Sequence, residues 1–112
     1  MSRRNAALNL GQAAPVFAAL GDETRLALVM RLGSTGPLSI ARLTDEAKVT
    51  RQAITKHLEV LARAGLVRGE RQGRERLWMV ESQKLDDARR YLDQISKQWD
   101  DALQRLAAFV DD

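Results

Sequence analysis

The chain has 112 residues, 45% of them hydrophobic, and a net charge of +3, which suits one domain with a modest core that a partner subunit is expected to complete. It contains no cysteine and a single histidine, so disulfides, thiolate metal sites and thiol redox sensing are excluded. No segment approaches the roughly 20 apolar residues of a membrane span, and the N-terminus lacks the apolar core of a secretion signal, so a cytoplasmic protein without membrane contact is expected.

Residues 1–12 show weak periodicity and read as a flexible arm, ahead of a folded unit over 13–80 and a terminal helix over 81–112 that belongs to the same compact domain. A first helix is expected from Ala13 to Leu20, with Pro15 tolerated in its first turn. After Gly21, Asp22 is a good N-cap for a second, mostly buried helix carrying Leu26, Val29, Met30 and Leu32 up to Gly33. Ser34 to Pro37 has turn composition, and Ser39 can cap a short helix with Ile40, Leu43 and Ala47 inward and Arg42, Asp45 and Glu46 outward. Lys48-Val49 reads as a tight turn and Thr50 as the N-cap of a further helix, ended where Gly65 supplies a left-handed residue. Ile54, Leu58 and Leu61 repeat at four and three residues and form its inner face, which leaves Arg51, Gln52, Thr55, Lys56 and Glu59 outside.

Two short runs, Leu66 to Arg71 and Arg74 to Val80, flank Gln72-Gly73 as a β-hairpin, with Trp78 and Val80 expected to point inward. From Ser82 to Val110 the pattern is a heptad. Leu85, Leu92, Trp99 and Leu106 hold one seam position, and Ala88, Ile95, Ala102 and Phe109 follow three residues on. Such a seam predicts dimerisation through the last helix, with Trp99 in the dimer core rather than in a ligand pocket. The fold class is therefore mainly α with a small β-hairpin: a winged helix-turn-helix with a long C-terminal dimerisation helix.

Charge is concentrated in one stretch of this layout. Between Lys48 and Arg76, eight basic residues (Lys48, Arg51, Lys56, Arg63, Arg68, Arg71, Arg74, Arg76) face three glutamates (Glu59, Glu70, Glu75). Neutralised phosphates release condensed counterions, so this distribution is the footprint of contact with a nucleic-acid duplex. Thr50, Arg51, Gln52, Thr55 and Lys56 on the outer helix face are the candidate groove readers: arginine can pair with guanine and glutamine with adenine. Arg68, Arg71, Arg74 and Arg76 on the hairpin are the candidate phosphate or minor-groove contacts, Arg74 foremost. A solvated helix face and cross-strand ion pairs with Glu70 and Glu75 are the competing accounts. His57 reads as a packing or phosphate-adjacent residue, since no second ligand of a transition-metal type accompanies it. Arg25 reads as a structural ion-pair residue.

Three segments, in order, carry a resemblance: Phe17-Ala-Ala-Leu-Gly-Asp-Glu-Thr-Arg25, Val49-Thr-Arg-Gln-Ala-Ile-Thr-Lys-His-Leu58, and Leu61-Ala-Arg-Ala-Gly-Leu-Val67 followed by Gly73-Arg74. Over residues 15 to 80 the chain resembles the ArsR-type (arsenic-repressor-like) winged-helix transcriptional regulators, and Trp99-Asp-Asp-Ala-Leu-Gln-Arg-Leu106 resembles the branch with a long last helix and no metal site. The resemblance places Ser39 and Ala41 where the metal-sensing branch has two cysteines, and the last helix lacks the histidine of that family's second site. Asp86, Asp87 and Asp93 alone would suit only a weak hard cation, so no metal or other cofactor is expected. Lys48 stands where the family commonly has glycine, and a left-handed lysine there would cost ~1 kcal/mol.

The resulting expectation is a sequence-specific DNA-binding regulator, a homodimeric repressor that occludes a promoter at an inverted-repeat operator in double-stranded DNA. An unidentified small molecule or protein bound between the first and last helices is an open option for its control. The alternative is a winged-helix protein-interaction module without DNA binding. An enzyme is disfavoured, because no histidine pair, cysteine, carboxylate dyad or phosphate loop offers a catalytic constellation.

Overall fold

The computed structural model describes residues 9–45 and 47–111; the first eight residues of the arm expected over 1–12 and the outward Glu46 lie outside them, while residues 10–12 of that arm are helical. The first helix, α1 (Leu10–Leu20), starts three residues earlier than its periodicity suggested, because the Asn9 side chain accepts the Gly11 N–H at 2.7 Å and caps it. Pro15 therefore lies beyond the first turn, where its ring removes a backbone hydrogen bond to the Gly11 carbonyl.

Asp22 caps α2 (Glu23–Thr35) by accepting the Arg25 N–H at 3.0 Å, as its position predicted. This hydrogen bond is the main reason the Asp22 carboxyl is held below its ordinary pKa of 3.8. The helix passes Gly33, with the Ser34 and Thr35 hydroxyls donating to the Arg31 carbonyl, and it stops at Gly36. Its buried stripe is Leu28, Val29 and Leu32. Leu26 and Met30, expected inside, are on the opposite side about half a helical turn away, Met30 with 66% of its surface exposed.

Strand β1 (Leu38–Ser39) leads directly into α3 (Ile40–Asp45), capped by Ser39 Oγ accepting from the Arg42 N–H at 3.3 Å. Lys48 and Val49 form the bend before the next helix. Lys48 keeps a negative φ, so the strain expected from a lysine at that turn does not arise. Thr50 Oγ1 accepts the Ala53 N–H at 3.1 Å and opens α4 (Arg51–Arg63), whose Ile54, Leu58 and Leu61 are fully buried. The helix ends in a Schellman arrangement: Gly65 is left-handed (φ 79), its N–H reaches the Ala62 carbonyl, and the Leu66 N–H reaches the Leu61 carbonyl, each at 3.0 Å. Leu61 and Leu66 pack under that turn and fix the direction in which the chain leaves it.

The hairpin is β2 (Val67–Gln72) and β3 (Glu75–Val80), with Gln72 opposite Glu75 across a two-residue loop, Gly73-Arg74. Gly73 alone has positive φ (64), the pattern of a II′ turn, which suits the twist of the flanking strands. Strand β1 adds to β3, giving a three-stranded antiparallel sheet in the order β1-β3-β2 with Leu38 opposite Trp78. Trp78 is buried and Val80 packs against the core, as expected.

Helix α5 (Ser82–Asp111) has 30 residues and so spans about 45 Å. It buries only Ala88 and Tyr91, with Leu85 packed partly against the core. Tyr91 meets Phe17 of α1 edge-on at 6.2 Å between ring centroids, while its hydroxyl accepts the Asn9 N–H and donates to the Asn9 carbonyl. Beyond this point the helix leaves the body of the chain. Leu92, Ile95, Trp99 and Leu106 are exposed, Trp99 by 65%, and the Cα radius of gyration is 18.1 Å where about 13 Å would describe a compact chain of this length.

Candidate nucleic-acid interface

The core fixes where α4 stands: with Ile54, Leu58 and Leu61 inward, the opposite face is presented to solvent. A small polar cluster further sets its angle against α2. Nδ1 of His57 is 3.4 Å from a terminal nitrogen of Arg25 and 3.9 Å from the Asp22 carboxylate, so the histidine is a packing residue between helices. Arg25 itself does more than the ion pairing expected of it. Its Nε donates to the Ala19 carbonyl at 2.6 Å and another guanidinium nitrogen to the Ala18 carbonyl, so it caps the C-terminus of α1. Arg31 acts similarly on α3, donating to the carbonyls of Arg42 and Leu43. The two helices leading to α4 are thus each tied to α2 by a guanidinium at a helix C-terminus.

The structure divides the five candidates at the start of α4 into two kinds. The Thr50 side chain is the N-cap, and the half-buried Thr55 donates its hydroxyl to the Arg51 carbonyl at 2.9 Å, so both have internal work. Arg51, Gln52 and Lys56 are exposed, and among the described residues their side chains have no hydrogen-bond or ion-pair partner. Of the five, these three are the ones held out to solvent, with Glu59 and Arg63 exposed further along the same helix.

Strand parity divides the hairpin arginines as well. Cross-strand partners share a face, and the pairs Val67/Val80, Gly69/Trp78 and Arg71/Arg76 make one face while Arg68/Met79 and Glu70/Leu77 make the other. Arg68 therefore points away from the face bearing Trp78. It is engaged by Glu70 (3.1 Å) and Glu81 (2.5 Å), two carboxylates for one guanidinium, and is the one hairpin arginine for which the ion-pair account holds. Arg71 and Arg76 stand directly opposite each other on the face that continues the core, an arrangement of like charges that destabilises a hairpin in isolation. Arg76 lies over the Trp78 indole, 4.6 Å from the ring centroid. Arg74 projects at the loop. A cleft between the hairpin and α4 has Arg51 and Thr55 on one wall and Arg74, Glu75, Arg76 and Trp78 on the other.

The interface thus joins a polar helix start to three arginines on the near face and tip of a hairpin. Sequence reasoning missed the pairing of β1 with β3, which anchors the hairpin, and the platform beneath Arg76. Strand register was the missing information. Among the described residues no group of three or more His, Asp or Glu side chains could hold a metal ion, and no helix is long and apolar enough to cross a membrane.

Comparison with known proteins gives this geometry a context. A helix-turn-helix domain family profile matches residues 20–70. An HTH-type transcriptional regulator of Mycobacterium tuberculosis is 37% identical over 93 residues, covering 83% of each chain. Among solved structures, an ArsR-like transcriptional regulator from Rhodococcus sp. RHA1 superposes with a TM-score of 0.72 at 39% identity, over 88% of this chain and 90% of that one. A homodimeric winged helix-turn-helix DNA-binding domain from Mycobacterium bovis, described as a possible ArsR-family regulator, gives 0.64 at 27% identity, covering 88% of each chain. At 39% identity to the Rhodococcus regulator and with the same fold over most of both chains, the chain belongs to the ArsR-type winged helix-turn-helix transcriptional regulators, DNA-binding proteins by family.

Proposed function

We propose that the protein is a homodimeric repressor that occludes a promoter by reading an inverted-repeat operator. The observation carrying this reading is the placement of Arg51 across a cleft from Arg74 and Arg76, with Gln52 and Lys56 of the same helix also exposed and, like Arg51, unpaired among the described residues. In this reading the start of α4 enters a major groove, where Arg51 and Gln52 contact base edges, and Lys56 with the hairpin arginines holds the flanking phosphates. Thr50 and Thr55 contribute by keeping the helix start in shape. Specificity then rests on the helix and salt-dependent affinity on the hairpin.

Homodimerisation is supported by the apolar residues of α5 beyond Tyr91, which the chain leaves uncovered, and by the homodimeric relative from Mycobacterium bovis. Leu85 and Ala88 pack within their own chain, so the dimer seam begins at Leu92 and runs through Ile95, Trp99, Ala102 and Leu106. A twofold dimer presents two copies of α4, which sets half-site centres about 10 base pairs, one helical turn, apart. Occlusion needs only that a dimer occupy DNA that polymerase must also contact.

Recovering DNA fragments that co-purify with the protein and sequencing them tests the reading. An inverted repeat of that spacing is expected, and a reporter with this repeat across its core promoter should fall in expression when the protein is made. A gel shift with sheared genomic DNA at low salt that shows no complex would instead identify a protein-interaction module.

A further inference from the structure

The two arginines of the inner hairpin face occupy different surroundings. Arg71 is exposed with no partner among the described residues, whereas Arg76 lies across the hairpin and over the ring of a buried tryptophan. Residue 69, directly opposite Trp78 in the strand pairing, is a glycine, and the Arg76 side chain runs through the space a side chain there would take. A Cβ on Gly69 would lie 2.5 Å from Arg76 Nε and 3.1 Å from its Cζ. Gly69 has no left-handed backbone to explain it, since the positive-φ glycines are Gly36, Gly65 and Gly73. The absent side chain serves the arginine.

We propose that Trp78 and Gly69 are positioning residues for DNA binding, forming a platform and a slot that hold the Arg76 guanidinium in the cleft facing α4, set to receive a backbone phosphate of the strand running between helix and hairpin. Trp78 is itself fixed, 4% exposed in the core and paired on its other side with Leu38 of β1, so the platform does not move with the hairpin tip. A guanidinium stacked on an indole keeps its in-plane N–H donors free for phosphate oxygens and loses little further freedom when it binds. The inference rests on the reading that the hairpin contacts DNA.

Gly69→Ala tests it without altering any charge. Alanine suits a strand better than glycine does, and the clash falls on the far part of a flexible side chain, so the fold is retained while the guanidinium is pushed off the ring. Binding of a random-sequence 30-base-pair duplex is measured across salt concentrations for wild type, Gly69→Ala, Arg76→Ala and the double variant. Gly69→Ala and Arg76→Ala are each expected to weaken binding roughly tenfold and to flatten the slope of log affinity against log salt by about 0.9 per bound protomer. The double variant should bind no more weakly than Arg76→Ala alone, because both changes remove one contact. If Gly69→Ala binds like wild type while Arg76→Ala is impaired, or if the two losses multiply in the double variant, the positioning role is overturned and phosphate contact by Arg76 stands. An Arg76→Ala variant with unchanged affinity and salt slope would overturn both.

Discussion

Gln52 and Arg74 are both exposed and polar, yet the interface gives them different kinds of work, and the two can be separated by thermodynamics. Gln52 sits on the first turn of α4, where a side-chain amide can meet a base edge. Gln52→Ala should cost about 1 to 3 kcal/mol on the preferred operator and little on random duplex. Arg74, at the hairpin loop, should act through charge alone. Arg74→Ala should weaken both DNAs by similar factors and lower the salt slope by about 0.9 per bound protomer in titrations at several salt concentrations. Unchanged affinity and slope on both duplexes would show that the loop stays in solvent. Asp22 makes a prediction about folding rather than binding. Its pKa is depressed in the folded chain, so its cap stabilises the fold above the ordinary carboxylate pKa of 3.8 and is lost as pH falls through the lower folded value. Melting curves of Asp22→Ala should therefore lie below wild type at pH 7, with the gap closing as pH drops below 3.8.

Among the elements, α5 carries the clearest division of labour. Its packing within the chain ends at Tyr91, so a chain truncated after that residue should keep Ala88, Tyr91 and the core contacts, remain folded by circular dichroism, and sediment as a monomer. A truncated chain that still sediments as a dimer and shifts operator DNA would place the dimer interface elsewhere. The heptad and the inner face of α4 were legible in the sequence because both rest on spacing, and the caps at Asp22, Thr50 and Gly65 because each depends on residues within one turn. What escaped was long-range. Strand β1 has two residues, too few to show a period, and exists because β3 accepts it. Leu26 and Met30 were placed inside because they are apolar, but the stripe through Leu28, Val29 and Leu32 lies opposite them. Arg25 and Arg31 cap the ends of other helices, contacts that no local pattern announces. Arg68 looked equivalent to its neighbours until register put it on the far face with Glu70 and Glu81.

For the whole molecule, the charge and the ligand inventory make a joint prediction. Ser39 and Ala41 stand where the resemblance places thiolates, and Ser39 is engaged in capping α3. Arsenite, cadmium or zinc in modest excess should leave operator affinity unchanged, and a tenfold loss, about 1.4 kcal/mol of coupling, would reveal a metal site. The overhang of α5 has a further consequence for gene dosage. If two chains must join along that helix before either α4 can be held in register with its half-site, then below the dimer's dissociation constant occupancy of the operator should rise with the second power of chain concentration. The promoter would then see a threshold rather than a proportional signal, and halving the number of chains would cut dilute-limit occupancy about fourfold. Operator titrations carried into that dilute range should show a limiting logarithmic slope near two, and a slope of one would mean that single chains bind on their own.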